Sequence, residues 1–167
     1  RGQNNVQGSC DMGALPNVYT NYQSAADAGH QKKVSAAWGV DMPTRAGMTY
    51  PAMIDSVKSG GVRSLYMIGS DIAHTDPNNE QVKEALGQLE LLIVQDIFMS
   101  ESAEFAHVVL PAATFLESDG TYTNGERRVQ RIRRALKPPG QAKEDWIIVA
   151  ELAEVLGQAI VSSRDVS

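Results

Sequence analysis

Leu91-Leu-Ile-Val-Gln-Asp96 is apolar for four residues and then turns polar. A strand with one wet face alternates apolar and polar side chains. Continuous Leu, Ile and Val describe a strand covered on both faces, as in the middle of a parallel sheet. Upstream, Asp76-Pro77 opens a helical pattern with Val82, Ala85, Leu86 and Leu89 at i, i+3, i+4 and i+7. Before it lies a short strand, Val62–Ile68, ending in Gly69-Ser70-Asp71. An earlier helix is capped by Thr49, carries Pro51 in its first turn and Met53, Ile54 and Val57 on one face, and stops at Gly60-Gly61. Downstream, a short helix near Ser102–Ala106 leads to a third strand, Val108–Leu110, stopped by Pro111. Thr121–Asn124 and the basic segment after it read as extended. Ala142–Gln158 reads as a helix apolar nearly all round, with a narrow polar stripe of Glu144, Glu151, Glu154 and Gln158.

Strand, helix, strand, helix, strand is the rhythm of a doubly wound α/β domain with a parallel sheet. Such sheets take ligands outside the carboxyl ends of their strands, near a switch in strand order. The strand ends here are Gly69-Ser70-Asp71, Gln95-Asp96 and Pro111-Ala112-Ala113, all polar or small. A carboxylate such as Asp71 or Asp96 can accept hydrogen bonds there from a ribose hydroxyl or from the N–H groups of guanine. The same residues can instead cap the turns that follow them. Asp145, ahead of the last helix, has the parallel choice between a ligand and the helix N-terminus.

A chain of 167 residues, 43% hydrophobic and 21% charged, can bury a real core and is not of disordered composition. The net charge of −5 argues against nucleic acid and anionic membranes as partners. No apolar run is long enough to insert directly into a membrane, and there is no initiator Met or signal peptide. The single Cys10 supports neither a disulfide framework nor a thiolate metal site, and His30, His74 and His107 are scattered. One Cys and six Met fit a reducing compartment, so a cytoplasmic location is expected. Arg127, Arg128, Arg131, Arg133, Arg134 and Lys137 form a basic block without the aromatics that stack bases. It reads as a solvated face or a subunit-contact strand.

Residues 1–50 are irregular, with one short helix around Gln31–Trp38. Within them, Arg1-Gly-Gln-Asn-Asn-Val-Gln-Gly8 crowds glycine and side-chain amides together with no apolar periodicity. Such a run lays amides around a polar ligand rather than around a core. It resembles the RGQNNVQG segment of molybdenum- or tungsten-dependent formate dehydrogenases. Four further stretches carry the same resemblance, in the family's order and spacing: Val94-Gln-Asp-Ile-Phe98, Ala106-His-Val-Val-Leu-Pro-Ala112, Glu117-Ser-Asp-Gly-Thr-Tyr-Thr-Asn124 and Arg127-Arg-Val-Gln130.

The resemblance implies an internal fragment of a catalytic subunit that oxidises formate to carbon dioxide. It implies a bis(molybdopterin guanine dinucleotide) cofactor, bis-MGD, holding molybdenum or tungsten, and an iron–sulfur cluster in a part of the subunit outside this chain. Residues 1–50 would be an irregular, cofactor-contacting segment of the active-site region. Residues 51–158 would be a Rossmann-like domain binding one guanine dinucleotide, and 159–167 a frayed end. Arg1 matches the active-site arginine, whose guanidinium fork fits the two oxygens of formate. Gln3 would contact pterin or substrate, and Asp71, Gln95, Asp96 and Asp145 the nucleotide. Ser118 falls where some relatives place a cofactor-contacting Lys, so a cation is lost there. His107 stands where Asp is usual and reads as a strand-edge substitution, and Cys10 is not the metal ligand, which lies upstream in the family. Electron-transfer subunits of iron–sulfur, flavin or hydrogenase type are the implied partners, and the fragment alone would be inactive. Two alternatives remain: a cofactor-free scaffold like the large iron–sulfur subunit of NADH:quinone oxidoreductase, or a bis-MGD reductase for another substrate such as nitrate. The amide-rich segment weighs against the first and Arg1 against the second.

Overall fold

Leu92, Val94 and Gln95 have no solvent exposure at all, as a strand covered on both faces requires. In the computed structural model, which describes residues 3–157, the chain begins with α1 (Val6–Asp11), β1 (Val18–Tyr19), β2 (Gln23–Ser24), α2 (Ala28–Trp38) and α3 (Tyr50–Lys58). There follow β3 (Ser64–Ile68), α4 (Ile72–Thr75), α5 (Asn79–Gly87), β4 (Leu91–Asp96) and β5 (Val108–Pro111). The last elements are β6 (Gly120–Thr123), β7 (Val129–Ile132) and α6 (Asp145–Val155). Contacts divide the chain into two units, Arg1–Met53 with Gly120–Ile132, and Ile54–Asp119 with Arg133–Ser167.

The second unit is the expected mixed α/β structure. Its parallel sheet has the order β3-β4-β5, with Tyr66 opposite Ile93 and Gln95 opposite Leu110. This order is sequential, so the three described strands contain no reversal. The helical spacing of Val82, Ala85, Leu86 and Leu89 does put all four in the core, beside Ile54 and Val57 of α3 and Leu92 and Val94 of β4. Burying a side chain the size of Leu86 stabilises the fold by roughly 1.5–3 kcal/mol. Gly60 takes φ +77 to end α3, a conformation open to glycine at no steric cost.

Several boundaries differ from the sequence expectation for local reasons. Val62 is not in β3, because its N–H bonds back to Ser56 O after the helix ends. Asp76 does not open a helix; its Oδ1 accepts from Asn78 N at 2.8 Å, which makes a turn between α4 and α5. Residues 142–144 precede α6 rather than join it. Lys143 lends its backbone to the end of β5, with Ala113 N to Lys143 O at 2.8 Å and Lys143 N to Pro111 O at 3.2 Å.

In the first unit, α1 occupies part of the stretch that lacks apolar periodicity. Gln7 explains it: this buried amide donates to Asp11 Oδ1 one turn on, at 2.9 Å, and to Tyr22 OH at 3.3 Å. The helix expected near Gln31 starts earlier, since Asp27 caps it by accepting from His30 N at 2.8 Å. Tyr19, Ala25 and Val34 form a small core. The extended segment is an antiparallel hairpin of β6 and β7. Asn124 closes it, its Oδ1 accepting from Glu126 N and Arg128 N at 3.0 and 2.9 Å.

Candidate functional site

The carboxyl edge of the sheet gathers most of the expected ligand residues. After β3 the chain turns at Gly69, with φ +60 and open space where a side chain would stand. Asp71 follows, and its carboxylate is heavily engaged. It accepts from Glu101 N at 3.2 Å, Ser102 N at 2.9 Å and Ser102 Oγ at 2.7 Å, while Ser102 Oγ accepts from Ala73 N. Burial pushes the Asp71 carboxyl up, but the bonds from Ser102 and Glu101, with His74 nearby, outweigh it and hold the group below its ordinary range. Glu101 is itself lowered by bonds from His74 and Lys83, at 3.0 and 3.2 Å.

Gln95 and Asp145 are joined directly. Gln95 Nε2 donates to Asp145 Oδ1 at 2.6 Å, and Gln95 Oε1 accepts from the Tyr66 hydroxyl. Burial, then the charge of Asp145, pushes the Tyr66 hydroxyl up. Gln95 is wholly buried and Asp145 exposed on the first turn of α6. The amide therefore fixes the direction of a carboxylate that faces solvent. Asp96, half-buried, caps its own turn through Ile97 N at 2.7 Å, and half-buried Ser118 donates to Thr114 O at 2.9 Å. Asp96 and Asp145 each have an oxygen left to accept with. That donor-poor, acceptor-rich set fits a base and a sugar that bring their own N–H and O–H groups.

The first unit has a cleft of its own, of about 340 Å³, lined by Gln3, Asn4, Asn5, Cys10 and Tyr122 among others. Its amides divide by role. Gln3 and Asn4 are exposed. Asn5 Oδ1 instead accepts from Thr123 N at 2.9 Å, and a side chain on Gly8 would meet that oxygen at 2.3 Å. So Gly8 and Asn5 build the segment, as Gln7 does, and only part of the amide run is left for a ligand. Arg1 lies outside the described residues.

His107 sits exposed beside β5. Its Nδ1 accepts from Leu92 N at 3.0 Å and its own N–H donates to Leu92 O at 2.8 Å. The side chain expected as a strand-edge substitution thus acts as a hydrogen-bond acceptor for the neighbouring strand. Sequence reasoning missed Tyr66, Ser102 and Glu144. The Ser102 hydroxyl serves Asp71 and Ala73 N rather than its own helix, so nothing local in the sequence marks it. Glu144 was assigned to the polar stripe of α6, but it is buried at the helix cap. Among the described residues, no helix is long and apolar enough to cross a membrane.

Residues 3–155 match the family model described as molybdopterin oxidoreductase. The chain is 52% identical over 158 residues to the F420-dependent formate dehydrogenase subunit alpha of Methanocaldococcus jannaschii, covering 94% of this chain and 23% of that protein. It is 42% identical over 158 residues to formate dehydrogenase H of Escherichia coli, covering 94% and 22%. A solved structure, acetylene hydratase from Pelobacter acetylenicus, superposes with a TM-score of 0.61 at 21% identity, over 89% of this chain and 20% of that one. That likeness is one of fold. The chain thus spans less than a quarter of the length of these two curated relatives.

Proposed function

Since the chain belongs to the molybdopterin oxidoreductase family, we propose that it is part of the catalytic subunit of a formate dehydrogenase, and that its sheet-bearing unit binds one guanine dinucleotide of a bis-MGD cofactor. The observation that carries the nucleotide assignment is the Tyr66–Gln95–Asp145 chain at the carboxyl edge of the parallel sheet. It uses a buried amide to aim an exposed carboxylate, an arrangement that suits the N–H edge of guanine. Asp96 offers a second acceptor nearby in the same strand. Ser118, where a cation would otherwise stand, contributes a hydroxyl.

When bound, the molybdenum or tungsten of the cofactor supplies the two-electron redox chemistry of formate oxidation. The chain's own share is binding and orientation. Arg1 is charged at any working pH, and its two parallel N–H bonds match the two oxygens of formate. Gln3 offers an amide to pterin or substrate. In this proposal an iron–sulfur cluster belongs to the remainder of the longer protein, and separate electron-transfer subunits are its partners.

The test is anaerobic purification of the full-length subunit, with bound metal, guanine nucleotide and formate-dependent dye reduction measured together. Molybdenum or tungsten with guanine, and dye reduction lost in Arg1→Ala, is the expected result. Metal and guanine without formate-dependent reduction would discard formate and keep the cofactor. Absence of both after expression in a cofactor-producing host would favour the scaffold alternative.

A further inference from the structure

Glu144 occupies the cap position of α6, yet its side chain makes no capping bond to its own helix. It is 7% exposed, and a buried carboxylate persists only with partners. Its Oε2 accepts from Asp119 N at 3.2 Å and from Trp146 Nε1 at 3.0 Å. Its Oε1 lies 3.6 Å from Arg134 Nη1, and Arg134 N donates to Asp119 Oδ1 at 3.4 Å. These partners come from the turn after β5, from α6 and from the segment after β7. The flanking residues are anchored as well, Lys143 to the end of β5 and Asp145 to Gln95.

We propose that Glu144 is a positioning residue for nucleotide binding. Its carboxylate ties the turn that carries Ser118 to the helix start that carries Asp145, so that the two keep one setting. It acts through Asp119 N and the Trp146 indole rather than by touching the ligand. The proposal rests on the guanine dinucleotide assignment above, and adds a residue that chemistry at the edge itself does not need.

The test follows loss of guanine nucleotide from the full-length, cofactor-loaded subunit after dilution. Glu144→Ala strands two N–H donors and should speed that loss by about tenfold. Glu144→Gln keeps an acceptor for both donors and should stay within about threefold of the unaltered protein. Glu144→Asp keeps the charge but loses reach, so it should behave like the alanine variant and carries the test if that variant does not accumulate. Val57→Ala, in the core of the same unit, should lower Tm without speeding guanine loss. Unchanged retention in both Glu144→Ala and Glu144→Asp would overturn the proposal. So would equal guanine loss from Val57→Ala at a matched Tm, since that would reduce the effect to stability. An unaltered subunit that carries no guanine would overturn the assignment beneath it, and the two failures are told apart by that first measurement.

Discussion

Among the described residues, eleven buried apolar side chains make the core of the sheet-bearing unit, whereas three, Tyr19, Ala25 and Val34, make that of the unit holding the amide-rich segment. The first unit compensates with directed bonds: Asn5 to Thr123, Gln7 to Asp11 and Tyr22, and Asn124 across its hairpin turn. Apolar burial is non-directional and roughly proportional to area. A hydrogen-bonded framework depends instead on single atoms, and each buried donor left unpaired costs its full desolvation. One unit is therefore stable by sum and the other by fit.

The largest expected effect sharpens that contrast. Leu92→Ala, at the fully buried middle strand, should cost about 2–5 kcal/mol in denaturant or thermal unfolding. A loss well below that range would mean the sheet is not where the apolar stability lies. Next comes Asn5→Ala, which orphans Thr123 N and should cost about 1–3 kcal/mol. Gly8→Ala should act on the same contact, because its new carbon would meet Asn5 Oδ1 at 2.3 Å. The two losses should then be markedly less than additive in the double variant; additive losses would break the idea of a framework built on shared atoms.

The smallest effect concerns acid. Asp71 has a folded pKa below its ordinary 3.8, so its stabilisation is present above that value and is lost as pH falls through the folded pKa. Asp71→Asn should therefore be less stable than the unaltered protein at neutral pH, and the gap should close in strong acid. Partial exposure and salt keep the difference small. A gap that persists unchanged down the acid limb would show that the Ser102 and Glu101 bonds do not depend on the charge.

The same contrast explains what could be read in advance. The apolar run of β4 and the spacing of Val82, Ala85, Leu86 and Leu89 are statements about area, and area leaves a period in the sequence. The places of Asp71, Gln95, Asp96 and Asp145 at strand and helix ends followed from that period. Their partners did not. Tyr66 is 29 residues from Gln95, Ser102 is 31 from Asp71, and Asp145 is 50 from Gln95, and nothing local marks such pairs. The helix α1 escaped for a related reason, since six residues anchored by one buried Gln carry no stripe. Helical spacing alone puts Glu144 on the polar face of α6, whereas the helix starts only after it, because the backbone of Lys143 is held by the end of β5.

The bond between Asn5 and Thr123 spans 118 residues, and during synthesis that span is a delay. At roughly 5–20 residues per second, about 6–24 seconds pass between the emergence of one partner and the other. Throughout that interval Asn5 Oδ1 is without the Thr123 N–H from which it accepts in the folded chain. A synonymous change that slows translation between them lengthens the wait without altering a single atom of the finished protein.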